Sequence, residues 1–90
     1  PGGVVMTRIT VQCSTGEGNI ATILADVEAR HDGVSIGSYP WMKPGQFGTA
    51  IVVSGLDVAV TTSAAKTVEA EVRAFGAEAN IVNADGTLAE

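Results

Sequence analysis

The chain has 90 residues, enough for one domain, and ten acidic against five basic side chains give it a net charge of −5. The basic residues Arg8, Arg30, Lys43, Lys66 and Arg73 are scattered along the sequence. Nucleic-acid binding needs clustered Lys and Arg, so this class of partner is excluded. No apolar run approaches the roughly 18 residues of a membrane-spanning helix, and no basic amphipathic helix is predicted, so we also expect no membrane partner.

The cellular context is indicated only weakly by the sequence. A single cysteine, Cys13, excludes an internal disulfide framework and a multi-cysteine metal site, and it fits a reducing, cytoplasmic location. The chain begins at Pro1 rather than Met and shows no signal peptide, which suggests a fragment of a larger protein. We expect residues 1–90 to form one domain.

The first half of the chain predicts a strand followed by a helix. "VVMTRITVQC" alternates with period two, which is typical of a strand with one solvated face, and its inward residues would be Val5, Ile9, Val11 and Cys13. "NIATILADVEARH", residues 19–31, has the i, i+3, i+4, i+7 spacing of an amphipathic helix, carried by Ile20, Ile23, Leu24 and Val27. Asn19 or Gly18 is expected to cap this helix, and Gly33 to follow its end.

The middle of the chain predicts a hairpin. "VSIGSYPW", residues 34–41, and "FGTAIVVSG", residues 47–55, are strand-like, and the second is expected to turn Ile51 and Val53 towards the core. "KPGQ" between them is a turn, because Pro44 presets φ and Gly45 accepts the positive φ of a type II turn.

The last third predicts a second helix and a short strand. Asp57 is a good N-cap for a helix over residues 58–75, and Gly76 ends it. The apolar stripe of this helix consists of Val60, Ala64, Val68, Val72 and Phe75. "AEANIV" is expected to form a fourth strand with Ala77, Ala79 and Ile81 inward, and residues 83–90 are expected to be a loose tail.

The element order β-α-β-β-α-β favours an α+β fold, the ferredoxin-like plait. In this fold two helices cover one face of a four-stranded antiparallel sheet. Both crossovers then skip a strand, so the second and fourth strands lie at the edges.

No catalytic, cofactor-binding or metal-ligating residue is predicted, and no cofactor is expected. "STGEG", residues 14–18, lacks the Lys of a phosphate-binding P-loop and the third glycine of a dinucleotide fingerprint. His31 falls in the last turn of the first helix, where it suits the carbonyl end, and Cys13 falls on the inward face of a strand. No carboxylates have the spacing of a metal site.

The hairpin segment "IGSYPWMKPGQFGT", residues 36–49, is the candidate binding patch. Tyr39 and Trp41 alternate on a strand and share the face away from the helices, and such side chains are enriched at interface anchors. The candidate interface residues are Gly37, Tyr39, Pro40, Trp41, Met42 and Phe47. The alternative, left open, is that Trp41, Phe47 and Pro44 pack on each other only to hold the hairpin.

"DGVSIGSYPW" followed by "GTAIVVSGLD" resembles one known family. The similar region follows the molybdopterin-binding-like domain in the competence/damage-inducible protein A (CinA-type) family, which is related to eukaryotic FAD synthases. The resemblance covers residues 17–79, with residues 36–40 as its most specific part. It implies that the nucleotide- or pterin-binding site belongs to the preceding α/β domain and that no family catalytic residue lies in this chain.

Three functions remain after this reading. The first is a non-catalytic C-terminal accessory domain of a larger protein, which docks on its parent α/β domain or on a second subunit of a homo-oligomer. The alternative is a regulatory plait module that binds a small ligand such as a nucleotide, a flavin or an amino acid. A stand-alone enzyme is the third, and the missing polar constellation disfavours it.

Overall fold

The computed structural model describes residues 5–83, which form four strands and two helices in the predicted order. The elements are β1 (Thr7–Cys13), α1 (Glu17–Arg30), β2 (Val34–Lys43), β3 (Gln46–Gly55), α2 (Val58–Phe75) and β4 (Ala79–Val82). The sheet has the order β2-β3-β1-β4, and every pairing is antiparallel. The ferredoxin-like α+β plait is therefore confirmed. Of the predicted tail, Asn83 follows β4 outside any strand, and residues 84–90 lie outside the described part.

A single apolar core lies between the sheet and both helices. Val11 and Ile51, on the two central strands, are completely buried, and so are Ile20 of α1 and Val68 of α2. The inward residues alternate along each strand, as a sheet with one covered face requires. Both helices therefore cover the same face, and no other helix or strand within residues 5–83 covers the opposite face of the sheet.

Three predicted details of these elements are wrong. α1 begins at Glu17 after Gly16, not at Asn19, because the Asn19 amide side chain donates to Thr15 Oγ1 (3.0 Å) instead of capping the helix. Val5 precedes β1 and is 81% exposed rather than inward. Phe75 is 52% exposed at the last residue of α2.

Ion pairs tie the two helices together. Arg30 of α1 bonds Asp26 one turn earlier, as its i, i+4 spacing predicts, and also reaches Glu71 of α2 (2.6 Å). The hydrogen bond with Glu71, and to a smaller extent that with Asp26, raises the pKa of the Arg30 guanidinium above its ordinary value. Because all three groups are substantially exposed, this network contributes little to the stability of the fold.

The predicted capping of α2 is confirmed at both ends. The Asp57 side chain accepts from the Val60 amide (3.1 Å), and Gly76 adopts φ +116° after the last turn.

We expect Asp57→Ala to lower the free energy of unfolding by about 1 kcal/mol, because the Val60 amide then loses its acceptor. Urea unfolding of the two proteins measures this. Asp32→Ala, which removes the same charge from an exposed turn, is the control, and an equal loss in both variants would contradict the capping role.

Candidate functional site

The open face of the sheet, called the outer face here, carries the candidate site. The strand register places Tyr39, Ala50, Gln12 and Asn80 in one row that crosses all four strands. The next row consists of Gly37, Val52, Thr10 and Val82. Trp41 lies on the same side, opposite Gly48. An indole, a phenol and two carboxamides thus share a surface that neither helix covers, and this composition is suited to binding.

Trp41 lies flat on the outer face. A Cβ on Gly48, its neighbour across the β2–β3 pair, would come within 2.5 Å of Trp41 Cζ2, so the indole rests directly on the glycine backbone. The indole N–H donates to Gln12 Oε1 of β1 (2.9 Å), and the Lys43 ammonium lies 5.6 Å from the ring centroid. The absence of a side chain at Gly48 lets the indole ring contact the backbone, and the hydrogen bond to Gln12 fixes the orientation of the ring.

Tyr39 covers the second glycine of the hairpin. A Cβ on Gly37 would lie 3.1 Å from the Tyr39 hydroxyl oxygen and 3.3 Å from Cε2, so the ring folds back along β2 over Gly37. Tyr39 is nevertheless 60% exposed. Its upper surface therefore remains available next to Trp41.

Three predicted patch residues, Pro40, Met42 and Phe47, do not belong to this face. Met42 pairs with Phe47, and both point to the helix-covered side of the sheet, beyond the point where β1 ends at Cys13. They are 84% and 57% exposed because the hairpin overhangs the core there. Met42 therefore does not lie beside Trp41 on the outer face, since adjacent strand residues point to opposite faces.

The alternative reading of the hairpin is also corrected by the register. Trp41 pairs with Gly48 on the outer face, whereas Phe47 lies on the other face and approaches Gly16, before α1. Trp41 and Phe47 therefore do not stack on each other to hold the hairpin. Gly45 has the positive φ (+75°) that the predicted turn requires. Pro40 lies opposite the inward residue Thr49, so it is exposed on the helix-covered side of β2 and not on the outer face.

A shallow cleft of about 480 Å³ opens between the overhanging hairpin and the ends of β1 and β4. Its walls include Trp41, Gln46 and Phe47 from the hairpin, and Gln12, Ser14 and Asn80 from the opposite side. Glu78 is the one ionisable carboxylate among its lining residues. The cleft extends the outer face and gives it a concave end.

His31, Cys13 and the "STGEG" segment, which could in principle carry chemistry, lie at a helix end, in the core and at the β1–α1 turn. His31 Nδ1 lies 2.8 Å from the Val27 carbonyl oxygen at the end of α1, which agrees with the predicted position at the helix terminus. Cys13 is 3% exposed in the core, as its inward position predicts. In the segment that contains "STGEG", the Thr15 carbonyl accepts from the Thr49 hydroxyl (2.8 Å), which anchors the β1–α1 turn on β3.

Sequence reasoning missed the carboxamides that surround Trp41. Gln12, Gln46 and Asn80 come from three different strands or strand ends, and Gln12 lies 29 positions before Trp41. The alternation of β1 does place Gln12 on the outer face. Only the register between β1 and β3 brings it to the indole.

The fold and the outer face together define a plait domain with one sheet face left open beside an aromatic hairpin. Residues 5–80 match the family model described as FAD synthase, middle domain. Since the match covers most of the chain, the protein belongs to this family, which agrees with the FAD synthase side of the resemblance. Comparison with curated proteins and with solved structures gives no match. Within residues 5–83, neither helix is long and apolar enough to cross a membrane.

Proposed function

We propose that this chain is a non-catalytic accessory domain that docks through its outer face on a neighbouring domain of its parent protein or on a second subunit. The single observation that carries the proposal is the position of Trp41, held flat on an uncovered sheet face by Gly48 and Gln12. Membership of a family described as a middle domain supports a role within a larger protein.

The outer face has the anatomy of a protein-binding patch. Rigid aromatic anchors surrounded by polar groups dominate the energetics of many interfaces. Here the anchors are Trp41 and Tyr39, and the polar rim is supplied by Gln12 and Asn80. Because the Gln12 hydrogen bond already fixes the indole, little side-chain entropy is lost when a partner covers it.

The proposal places any activity of the parent protein in a different domain. The resemblance implies a preceding α/β domain of the molybdopterin-binding-like kind, which would hold any nucleotide or pterin site. Our proposal assigns this chain the task of positioning that domain, in a cytoplasmic protein. His31 and Cys13, the residues best suited to chemistry, have helix-terminal and core positions instead.

Trp41→Ala tests the proposed function. We expect it to weaken docking to the neighbouring domain, or self-association, by roughly 30-fold, the effect of losing an anchor worth about 2 kcal/mol. The domain itself should stay folded, since Trp41 is not part of the buried core. Sedimentation velocity of this chain, alone and with the neighbouring domain of its parent added, measures association, and far-UV circular dichroism measures folding.

Phe75→Ala provides the matched control for this experiment. It removes a half-exposed aromatic ring from α2, on the opposite side of the sheet from the outer face. Unchanged sedimentation and docking in Trp41→Ala, or an equal loss in both variants, would contradict the proposal. Heat of binding to nucleotides, flavins or amino acids would instead favour the small-ligand module, which the cleft beside Trp41 supports.

A further inference from the structure

The two edge strands present the backbone groups that a foreign strand would pair with. In an antiparallel sheet every second residue of an edge strand turns its N–H and C=O away from the sheet. A long, apolar edge strand therefore recruits strands from other molecules. β2 is such a strand, with ten residues of which only Lys43 is charged.

The free edge of β2 is covered at its beginning. The Ile36 N–H donates to Glu28 Oε1 of α1 (2.8 Å), so the backbone N–H of Ile36 points away from β3. The preceding outward amide, that of Val34, donates to the His31 carbonyl (3.2 Å). Two donors that an incoming strand would need are therefore already occupied.

The same alternation gives Pro40 a definite role. Counting in steps of two from Ile36 places Pro40 among the outward residues, where an amide donor would face the edge. Proline has no N–H, and in sheets it is confined to such positions. Three of the outward positions of β2, residues 34, 36 and 40, thus offer no free donor.

The opposite edge is closed by a pair of side chains from α2. Glu69 Oε2 accepts from the Ile81 N–H of β4 (2.9 Å), and Arg73 Nε donates to the Ala79 carbonyl (2.8 Å). Glu69 and Arg73 are bonded to each other (3.2 Å), which fixes the acceptor and the donor at the spacing of alternate strand residues. The pair reproduces the hydrogen bonds that a fifth strand would make.

We infer that Glu28 and Pro40 on one edge, and Glu69 with Arg73 on the other, replace the missing neighbour strands and close the sheet to strand addition. The inference does not depend on the proposed docking role. It does restrict that role, because a partner then meets the outer face or the hairpin end and not an edge. Glu28 and Pro40 are the decisive pair, since β2 is the longer and more apolar edge.

The double variant Glu28→Ala with Pro40→Val tests the closed edge. It frees the Ile36 donor and adds a donor at position 40, so we expect self-association at least about tenfold tighter than that of the wild-type chain, the effect of one or two added hydrogen bonds. Sedimentation velocity over a concentration series measures this. Asp26→Ala is the matched control, because it removes the same charge from the same helix without touching the edge. Association equal to that of the wild type, or equal to that of Asp26→Ala, overturns the inference.

A second measurement keeps the test decisive if the double variant folds poorly. Hydrogen exchange of the Ile36 amide, followed by NMR, should be about tenfold faster in Glu28→Ala than in the wild type, because the amide loses its acceptor. Glu28→Gln retains a side-chain oxygen at the same place and should keep the slow exchange. An Ile36 amide that exchanges equally in all three proteins overturns the closure at Glu28.

Discussion

Gly48→Ala is expected to destabilise the domain by about 3 kcal/mol, the upper range for forcing atoms into a packed site. The added Cβ would overlap the Cys13 carbonyl oxygen and would lie 2.5 Å from Trp41 Cζ2. The indole can rotate away, but the β1 backbone carbonyl cannot move without disturbing the pairing of Cys13 with Thr49. The substitution should therefore weaken the central strand pair and release Trp41 together.

Two readouts separate these effects. Urea unfolding gives the loss of stability, and the fluorescence of Trp41, the single tryptophan, reports its release as a shift to longer wavelength. Gly18→Ala is the matched control, because nothing lies within 4 Å of a Cβ there, on the first turn of α1. Alanine is the better helix former, so this variant should be as stable as the wild type or up to about 1 kcal/mol more stable. Similar losses in both variants would show that Gly48 is not a contact point.

The fold was predictable where capping residues mark the helix ends and where the spacing of apolar residues indicates a helix or a strand. Asp57 and Gly76 bounded α2 correctly because a side-chain acceptor and a left-handed residue are local requirements that the sequence states directly. The start of α1 was missed by two residues. Asn19 is a good capping residue in isolation, but its side chain bonds to Thr15 across the turn, and a nearby hydroxyl of this kind is not visible in the helix pattern.

For the candidate site, the sequence predicts which residues of β2 share a face, but not which residues of other strands contact them. Alternation along β2 places Tyr39 and Trp41 on one face, and the same rule excludes Met42 from it. The Gln12 partner of Trp41 depends on strand register, which no local pattern fixes. The contact of Glu28 with Ile36 likewise depends on where α1 lies over the sheet, so the closed edge could be found only in three dimensions.

The closed edges and the open face have one consequence for partner binding. Arg73 and Glu69 occupy the β4 edge, while Tyr39 is exposed and Trp41 is half-buried on the outer face. Strand addition relies on backbone hydrogen bonds and tolerates many sequences, whereas face-on docking relies on side-chain shape. The proposed closure of both edges would therefore favour face-on docking of a specific neighbour over association with any exposed strand.

Ile51→Ala is expected to have the largest effect of a core substitution, a loss of about 3–4 kcal/mol in the free energy of unfolding. Ile51 is completely buried on β3, where it pairs with Val11 of β1 and belongs to the core cluster that contains residues of both helices. Removing its branched side chain leaves a cavity in a close-packed core, which relaxes only partially around it. For a domain of this size the loss is a large share of the total stability, so thermal unfolding should begin well below that of the wild type.

Val52→Ala, one residue further along β3, is the control that makes this test informative about function. Val52 points to the outer face and is only half-buried, so we expect a loss of no more than about 1 kcal/mol in the isolated domain. Urea unfolding of both variants, with unchanged slopes, measures the difference. Equal losses would mean that the outer face is packed as tightly as the core, which contradicts an open docking surface. A Val52→Ala loss that grows when the neighbouring domain is present would place that domain on the outer face, because only a covered side chain loses more when it is truncated.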